Sequence, residues 1–212
     1  MEKGDQYVYS KRVRSIGREA KERLLGQRGS VFWMYGLSGA GKSTLVEGLE
    51  QRLYTEGCLT EVLDGDRVRA GLTRDLGFSD ADRYENIRRV AEVARLFKDS
   101  GVIVLAAFIT PTREMRALAR SIIGSEDFRE VYLKCSLEAC AQRDVKGLYA
   151  RAKAGDVAAF TGYDSIFEEP ERGASDMVLD TEALSVAVCV DRLYGLIAPF
   201  RQLPNRKNRD LT

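Results

Sequence analysis

"GLSGAGKST", Gly36 to Thr44, follows the apolar run "VFWMY" (31–35) and precedes Leu45, Val46, Leu49 and Leu53, which recur at helical spacing. Strand, glycine-rich loop and helix in that order satisfy GxxxxGK[ST], the pattern of a phosphate-binding loop. Glycines let successive backbone amides turn toward phosphate oxygens, and the helix behind them directs the positive end of its dipole at the same point. In such a loop the lysine reaches the outer phosphates and the hydroxyl after it binds magnesium. Gly36, Leu37, Ser38, Gly39, Ala40, Gly41, Lys42, Ser43 and Thr44 are therefore the expected ATP-binding residues, with Ser43 on Mg2+. No NKxD guanine signature occurs.

Outward from the loop, "TEVL" (60–63), "VIVLAAF" (102–108), "EVYLKC" (130–135) and "MVLD" (177–180) read as further strands. The run at 102–108 lacks polar alternation, as a strand buried on both faces does. Ile87, Val90, Ala91, Ala94 and Phe97 recur at helical spacing, Ser79 and Asp82 can cap the start of that helix, and Gly101 follows its end. Strands alternating with helices around one core predict an α/β fold of the P-loop NTPase type, a doubly wound, mostly parallel five-stranded sheet with helices on both faces. The flanks differ. "SKRVRSIGREAKERLLGQRG" (10–29) reads as a polar, basic helix or arm and "FRQLPNRKNRDLT" (200–212) as a frayed tail, both expected to be solvated.

Composition narrows the chemistry. The 212 residues fit one domain with a sizeable core. Lys plus Arg total 33 against 32 for Asp plus Glu, so no overall field favours nucleic acid or an anionic membrane. No segment is long and apolar enough to span a bilayer and the amino terminus lacks a secretory core, so a cytoplasmic protein is expected. Cys58, Cys135, Cys140 and Cys189 have no CxxC spacing and read as reduced core residues. The chain has no histidine, which removes Ser-His-Asp and Cys-His nucleophile systems and histidine acid/base chemistry. Catalysis must rest on carboxylates, Lys, Arg, hydroxyls and a hard cation.

Motors and ATPases usually carry an acid at the end of another core strand, but "VIVLAAFITP" ends in Thr110 and Pro111. The acids stand instead in "LDGDRVRAGL" (63–72), where Asp64, Asp66, Arg67 and Arg69 follow the second strand. Ligands of a parallel sheet sit at the carboxyl ends of its strands. Asp64 and Asp66 are thus expected near the triphosphate, serving the water shell of the metal or an acceptor hydroxyl, with Arg67 or Arg69 on an anionic substrate. This favours phosphoryl transfer to a small molecule.

Together with the phosphate loop and "LDGDRVRAGL", the segments "DLGFSDADRYENIRRVAEVARLF" (75–97), "FITP" (108–111), "RDVKGLYARAKAG" (143–155) and "FTGYDS" (160–165) resemble the adenylyl-sulfate kinases, in order from about Phe32 to Thr181. That family phosphorylates the ribose 3′-hydroxyl of adenosine 5′-phosphosulfate (adenylyl sulfate) using MgATP. The resemblance implies that Phe78 and Phe160 sandwich the acceptor adenine, and that Arg69, Arg83 and Asn86 hold its phosphosulfate and ribose. It puts Lys146 near the transferring or substrate oxyanions, and Ile109 and Asp66 with the acceptor. Arg143 joins the ATP set, and Lys42, Asp64, Asp66 and Thr110 the catalytic set, Asp64 reaching the metal through water. Read from their own positions, Phe78 and Phe160 also fit a core, and Arg83, Asn86, Arg88 and Arg89 an exposed helix face. The implied layout is an arm (1–29), a kinase domain (30–200) with a lid near 143–165, and a tail (201–212). The implied partners are adenylyl sulfate, a second copy of the chain in a homodimer, and ATP sulfurylase as a protein it could associate with.

Three features depart from the family pattern. Arg67 replaces the asparagine of "DGDN", "YARAKAG" is less basic than "YKKARAG", and Thr110 stands where family members carry a serine that can be phosphorylated. A threonine there is stiff and suits a fixed hydrogen-bond donor or a lining residue better than a phosphoryl carrier. Two other readings stay open: a divergent relative acting on another nucleotide with an anionic 5′ substituent, and a nucleotide-binding regulatory module without turnover.

Overall fold

The computed structural model describes residues 16–144, 147–156 and 160–201. In chain order the elements are α1 (Arg18–Leu25), β1 (Ser30–Tyr35), α2 (Lys42–Thr55), β2 (Thr60–Asp64), α3 (Gly65–Ala70), α4 (Asp80–Lys98) and β3 (Ile103–Phe108). They continue with α5 (Arg113–Ile123), β4 (Phe128–Lys134), α6 (Leu137–Arg143), α7 (Leu148–Lys153), β5 (Met177–Asp180) and α8 (Val186–Arg201).

The five strands form one sheet in the order β2-β3-β1-β4-β5, and every pairing is parallel, so the expected "mostly parallel" sheet is wholly so among the described residues. β1 and β3 are buried along their whole length because helices cover both faces. The period of two divides β1 between two cores. Phe32 and Met34 pack with Leu45, Leu49 and Leu53 of α2 and Leu193 and Ile197 of α8. Val31, Trp33 and Tyr35 pack with Val90 and Ala94 of α4 and Met115 and Ile123 of α5. β1 lies between β3 and β4, so the chain departs to one side of it and then to the other, and the carboxyl end of β1 opens at the switch point where α/β sheets bind ligands.

Local signals set the helix ends. Ser79 caps α4 by accepting from the Asp82 amide, and the Asp64 carboxylate caps α3 by accepting from the Asp66 amide at 2.9 Å. The strand expected at 130–135 begins earlier, at Phe128, because that residue is fully buried and pairs with Val31.

The basic amino-terminal segment departs from its solvated expectation. Within α1, Arg18 reaches Asp127 at 2.5 and 2.9 Å, Glu22 at 2.8 Å and the Gly29 carbonyl at 2.8 Å. Arg28 and Lys98 also approach Asp127, at 3.0 and 3.4 Å. Gln27 joins the entries of two strands, donating to the Leu59 and Gly101 carbonyls. Residues 1–15 and 202–212, with the remainder of the arm and the tail, lie outside the described residues.

Candidate active site

The loop from Gly36 to Gly41 joins β1 to α2. Its glycines answer to steric demands. A Cβ on Gly36 would stand 2.6 Å from the Leu133 carbonyl of β4, and Gly39 has φ +81° with the Cys140 carbonyl 2.9 Å from where its Cβ would be. Lys42 folds back over the loop, donating to the carbonyls of Gly36 and Leu37 at 2.8 and 2.7 Å. The Ser43 hydroxyl donates to Asp64 Oδ2 at 2.8 Å, which ties the loop to the end of β2. Asp64 therefore serves three partners at once: the helix it caps, the loop serine and the cavity it lines.

The cavity has a volume of about 830 Å³ and runs from the loop along the carboxyl ends of β2 and β3. It brings together most of the residues expected from the sequence: Ser38 to Thr44, Asp64, Asp66, Arg69, Phe78, Arg83, Asn86, Ile109, Thr110, Arg143 and Phe160. Gly36 and Leu37 lie behind it, as the carbonyls that hold Lys42. Lys146 lies outside the described residues. Arg67 is exposed on α3 and does not line the cavity, so of the two arginines considered in that stretch it is Arg69 that faces it.

The wall beyond the phosphate loop is built from α3 and α4. Arg69 donates to the Gly77 carbonyl at 3.0 Å and stacks over the Phe78 ring, 4.4 Å from its centroid. Arg83 donates to the Phe78 carbonyl at 2.9 Å and to the Thr161 hydroxyl. Burial, and then the charge of Arg83, lowers the Arg69 pKa; burial lowers that of Arg83. The carboxylates of Asp82 and Asp66 act against this at Arg69, and those of Asp80 and Asp164 at Arg83. Asn86, also buried, has its side-chain oxygen held by the Thr73 hydroxyl at 2.8 Å.

The two aromatics differ in setting. Phe78 is 60% exposed, whereas Phe160 is 7% exposed and meets the Tyr149 ring edge-on at a centroid distance of 4.8 Å. Phe160 is thus both a core residue and part of the cavity wall.

Thr110 stands just past β3 with a positive φ of 43°, uncommon for a β-branched residue, and is 1% exposed. Its hydroxyl oxygen accepts from the Trp33 indole at 2.9 Å, and Arg116 holds its carbonyl at 3.1 Å. The sequence suggested a fixed donor or a lining residue, and Thr110 does line the cavity. Toward Trp33 the hydroxyl is instead an acceptor, because a buried indole N–H needs one.

Sequence reasoning missed several side chains of the site. The Tyr149 hydroxyl donates to the Ser38 carbonyl at 2.8 Å, so one residue touches both the phosphate loop and Phe160. Thr161 anchors Arg83, and Thr181 meets Arg143, which spans to the Gly39 carbonyl. Asp144 caps α7 through the amides of Tyr149 and Ala150. Thr181 follows the last strand, and the rule that strand ends carry ligands could have flagged it. Leu184 and Val186 also line the cavity and carry no local signal.

Residues 28–180 match the protein family described as Adenylylsulphate kinase. The chain is 49% identical over 193 residues to an adenylyl-sulfate kinase of Bacteroides thetaiotaomicron, covering 91% of this chain and 95% of that one. It is 53% identical over 172 residues to an adenylyl-sulfate kinase of Geotalea uraniireducens, covering 81% and 82%. Among solved structures, the APS kinase of Mycobacterium tuberculosis in complex with AMPPNP and APS superposes with a TM-score of 0.77 at 42% identity, covering 81% of this chain and 99% of that one. With loop, sheet order and sequence in agreement over most of its length, the chain belongs to the adenylylsulphate kinase family.

Proposed function

We propose that the protein transfers the γ-phosphoryl group of ATP to the 3′-hydroxyl of adenosine 5′-phosphosulfate, giving ADP and 3′-phosphoadenosine 5′-phosphosulfate. The observation that carries this reading is one continuous cavity with a phosphate-binding loop at one end and a wall of Arg69, Arg83 and Phe78 at the other. Such a cavity can hold donor and acceptor together, and in phosphoryl transfer alignment and charge stabilisation supply most of the rate.

In this reading Gly36 to Thr44 hold the triphosphate, Lys42 swings from its carbonyls to the transferring phosphoryl, and Arg143 lies beside the nucleotide. Arg69, Arg83 and Asn86 hold the acceptor's phosphosulfate and ribose, between Phe78 and Phe160, with Ile109 against it. Lys146 belongs to the same charged set. The bond between the γ-phosphorus and the bridging oxygen of ADP breaks as the 3′-oxygen bonds to phosphorus, and Asp66 takes the hydroxyl proton. Thr110 acts as a fixed lining residue, since its hydroxyl is engaged by Trp33 and its backbone by Arg116.

Mg2+ fits the donor set at the loop: the Ser43 hydroxyl and an Asp64 carboxylate oxygen, 2.8 Å apart, are hard oxygen ligands. No group of three His, Cys, Asp or Glu forms a cage among the described residues, and a cation that takes phosphate and water ligands needs none. When bound, the ion would neutralise charge on the phosphates. A homodimer in the cytoplasm completes the proposal; all four cysteines are free and buried, as a reducing compartment allows.

The divergent-acceptor reading rested on Arg67, which is exposed and does not line the cavity. The test offers MgATP with adenylyl sulfate, AMP, CMP and cytidine diphosphate derivatives and follows ADP release. Rapid release is expected with adenylyl sulfate and much slower release with AMP; equal turnover of AMP, or a preference for cytidine nucleotides, overturns the assignment.

A further inference from the structure

Thr73 is fully buried in the turn between α3 and α4. Its hydroxyl lies 3.5 Å from the Val68 carbonyl and 2.8 Å from Asn86 Oδ1, so the short bond is the one to Asn86. A carboxamide has a donor end and an acceptor end, and which end meets a ligand depends on what holds the other. Thr73 occupies the oxygen. The amino end, with two N–H donors, is then the end that Asn86 offers to the cavity it lines. Arg83, one turn earlier on α4, and Arg69 on α3 present further donors to the same cavity. A wall of N–H groups suits an anion, whereas an amide oxygen turned into that wall would repel one.

We propose that Thr73 is a positioning residue for the acceptor: its hydroxyl fixes the Asn86 amide so that the amide donates to the anionic substrate. This rests on the acceptor reading given above. It concerns a residue that touches neither the phosphate loop nor any reacting atom. Thr73→Val keeps the shape and removes the hydroxyl, leaving Asn86 free to turn its oxygen inward. The KM for adenylyl sulfate should then rise about tenfold or more, the scale of a lost hydrogen bond to a charged group. The KM for ATP should stay within about threefold, since the phosphate loop is not touched, and Thr73→Ser should restore the wild-type KM for adenylyl sulfate. Thr73→Ala, which leaves room for a water, serves as a second variant if the valine protein does not fold, and should show the same selective rise.

Steady-state kinetics on the full chain with both substrates varied, alongside calorimetric melting, decides the matter. An unchanged KM for adenylyl sulfate, equal losses toward both substrates with a lowered Tm, or no rescue by serine would each overturn the role of Thr73. Failure of the wild-type protein to release ADP with adenylyl sulfate would instead overturn the proposed reaction, and this inference with it.

Discussion

At the amino ends of the strands Asp127 gathers Arg18, Arg28 and Lys98, while at the carboxyl ends Lys42, Arg69, Arg83 and Arg143 donate to backbone carbonyls. Both ends use the same kinds of cation. A carboxylate cancels a cation's charge; a carbonyl satisfies its N–H groups and fixes its position while the net charge remains. Arg69 and Arg143 make no ion pair among the described residues, so their charge is left for a ligand. The first arrangement joins the segments that enter β1, β3 and β4. At Arg69 and Arg143 the second holds cations ready at the cost of local stability, which is the usual relation between a binding site and its scaffold.

Six substitutions would break or sharpen this contrast. Lys42→Ala should lower kcat by on the order of a thousandfold, through loss of charge stabilisation on the transferring group, and Asp66→Asn should also lose most turnover. Both should leave the Tm nearly unchanged; a large fall in Tm would mean that the carboxyl end also serves as a structural clamp.

Asp127→Asn should do the reverse. It removes the carboxylate that three cations share, although Arg18 keeps Glu22 and Lys98 keeps Asp99, and should cost about 2 kcal/mol of stability, read by chemical denaturation, with kcat unaffected at room temperature. Its pH dependence carries a sign. Burial pushes the Asp127 carboxyl up, but the hydrogen bond and charge of Arg18, with Lys98 and Arg28, more than reverse this and bring it to about 2. A carboxyl held below its unfolded value of about 4 stabilises fully above that pH and loses its contribution as pH falls toward about 2. The wild-type Tm should therefore drop through that window, and the asparagine variant should show a smaller drop.

Phe78→Ala, at an exposed position, should weaken acceptor binding by about 1 to 3 kcal/mol without changing the Tm. Phe160→Ala should lower both, because Phe160 also packs on Tyr149. Equal behaviour of the two variants in acceptor titration and melting would erase the distinction between them. The smallest effect is expected of Thr110→Ala: about 1 kcal/mol of stability from the lost bond to Trp33, with a substantial part of turnover retained. Rapid-quench phosphopeptide mapping supplies the counter-test, since a phosphothreonine formed and discharged at the turnover rate would refute direct transfer.

Some of this was legible along the chain and some was not, for reasons visible residue by residue. "MVLD" is the whole of β5, and the buried residues Ile87, Val90, Ala91 and Ala94 follow the helical period, because one-sided burial imprints itself on spacing. Phe128 could not be assigned to a strand from its neighbours, since its place depends on Val31, far away in sequence. Arg18 read as solvated because Asp127, 109 residues on, gives no local sign of being its partner. Phe78 and Phe160 came as an equal pair, and only packing separates them.

The sequence by itself determined the phosphate loop with its strand and helix, the placing of Asp64 and Asp66 at a strand end, the chemistry that a chain without histidine must use, and the family. Each depends on residue type and spacing within a few turns of backbone, where dihedral preference and capping act. Only the tertiary structure decided that Arg69 stacks on Phe78, that Tyr149 bridges Ser38 and Phe160, that Thr110 is held by Trp33, and that Thr73 holds Asn86. Long-range contacts such as those of Tyr149 and Thr110 are set by the sheet order β2-β3-β1-β4-β5, and those of Arg69 and Thr73 by how α3 and α4 pack beside it. A hydrogen bond discriminates by tenths of an ångström and by direction, information that residue spacing along a strand or helix does not carry.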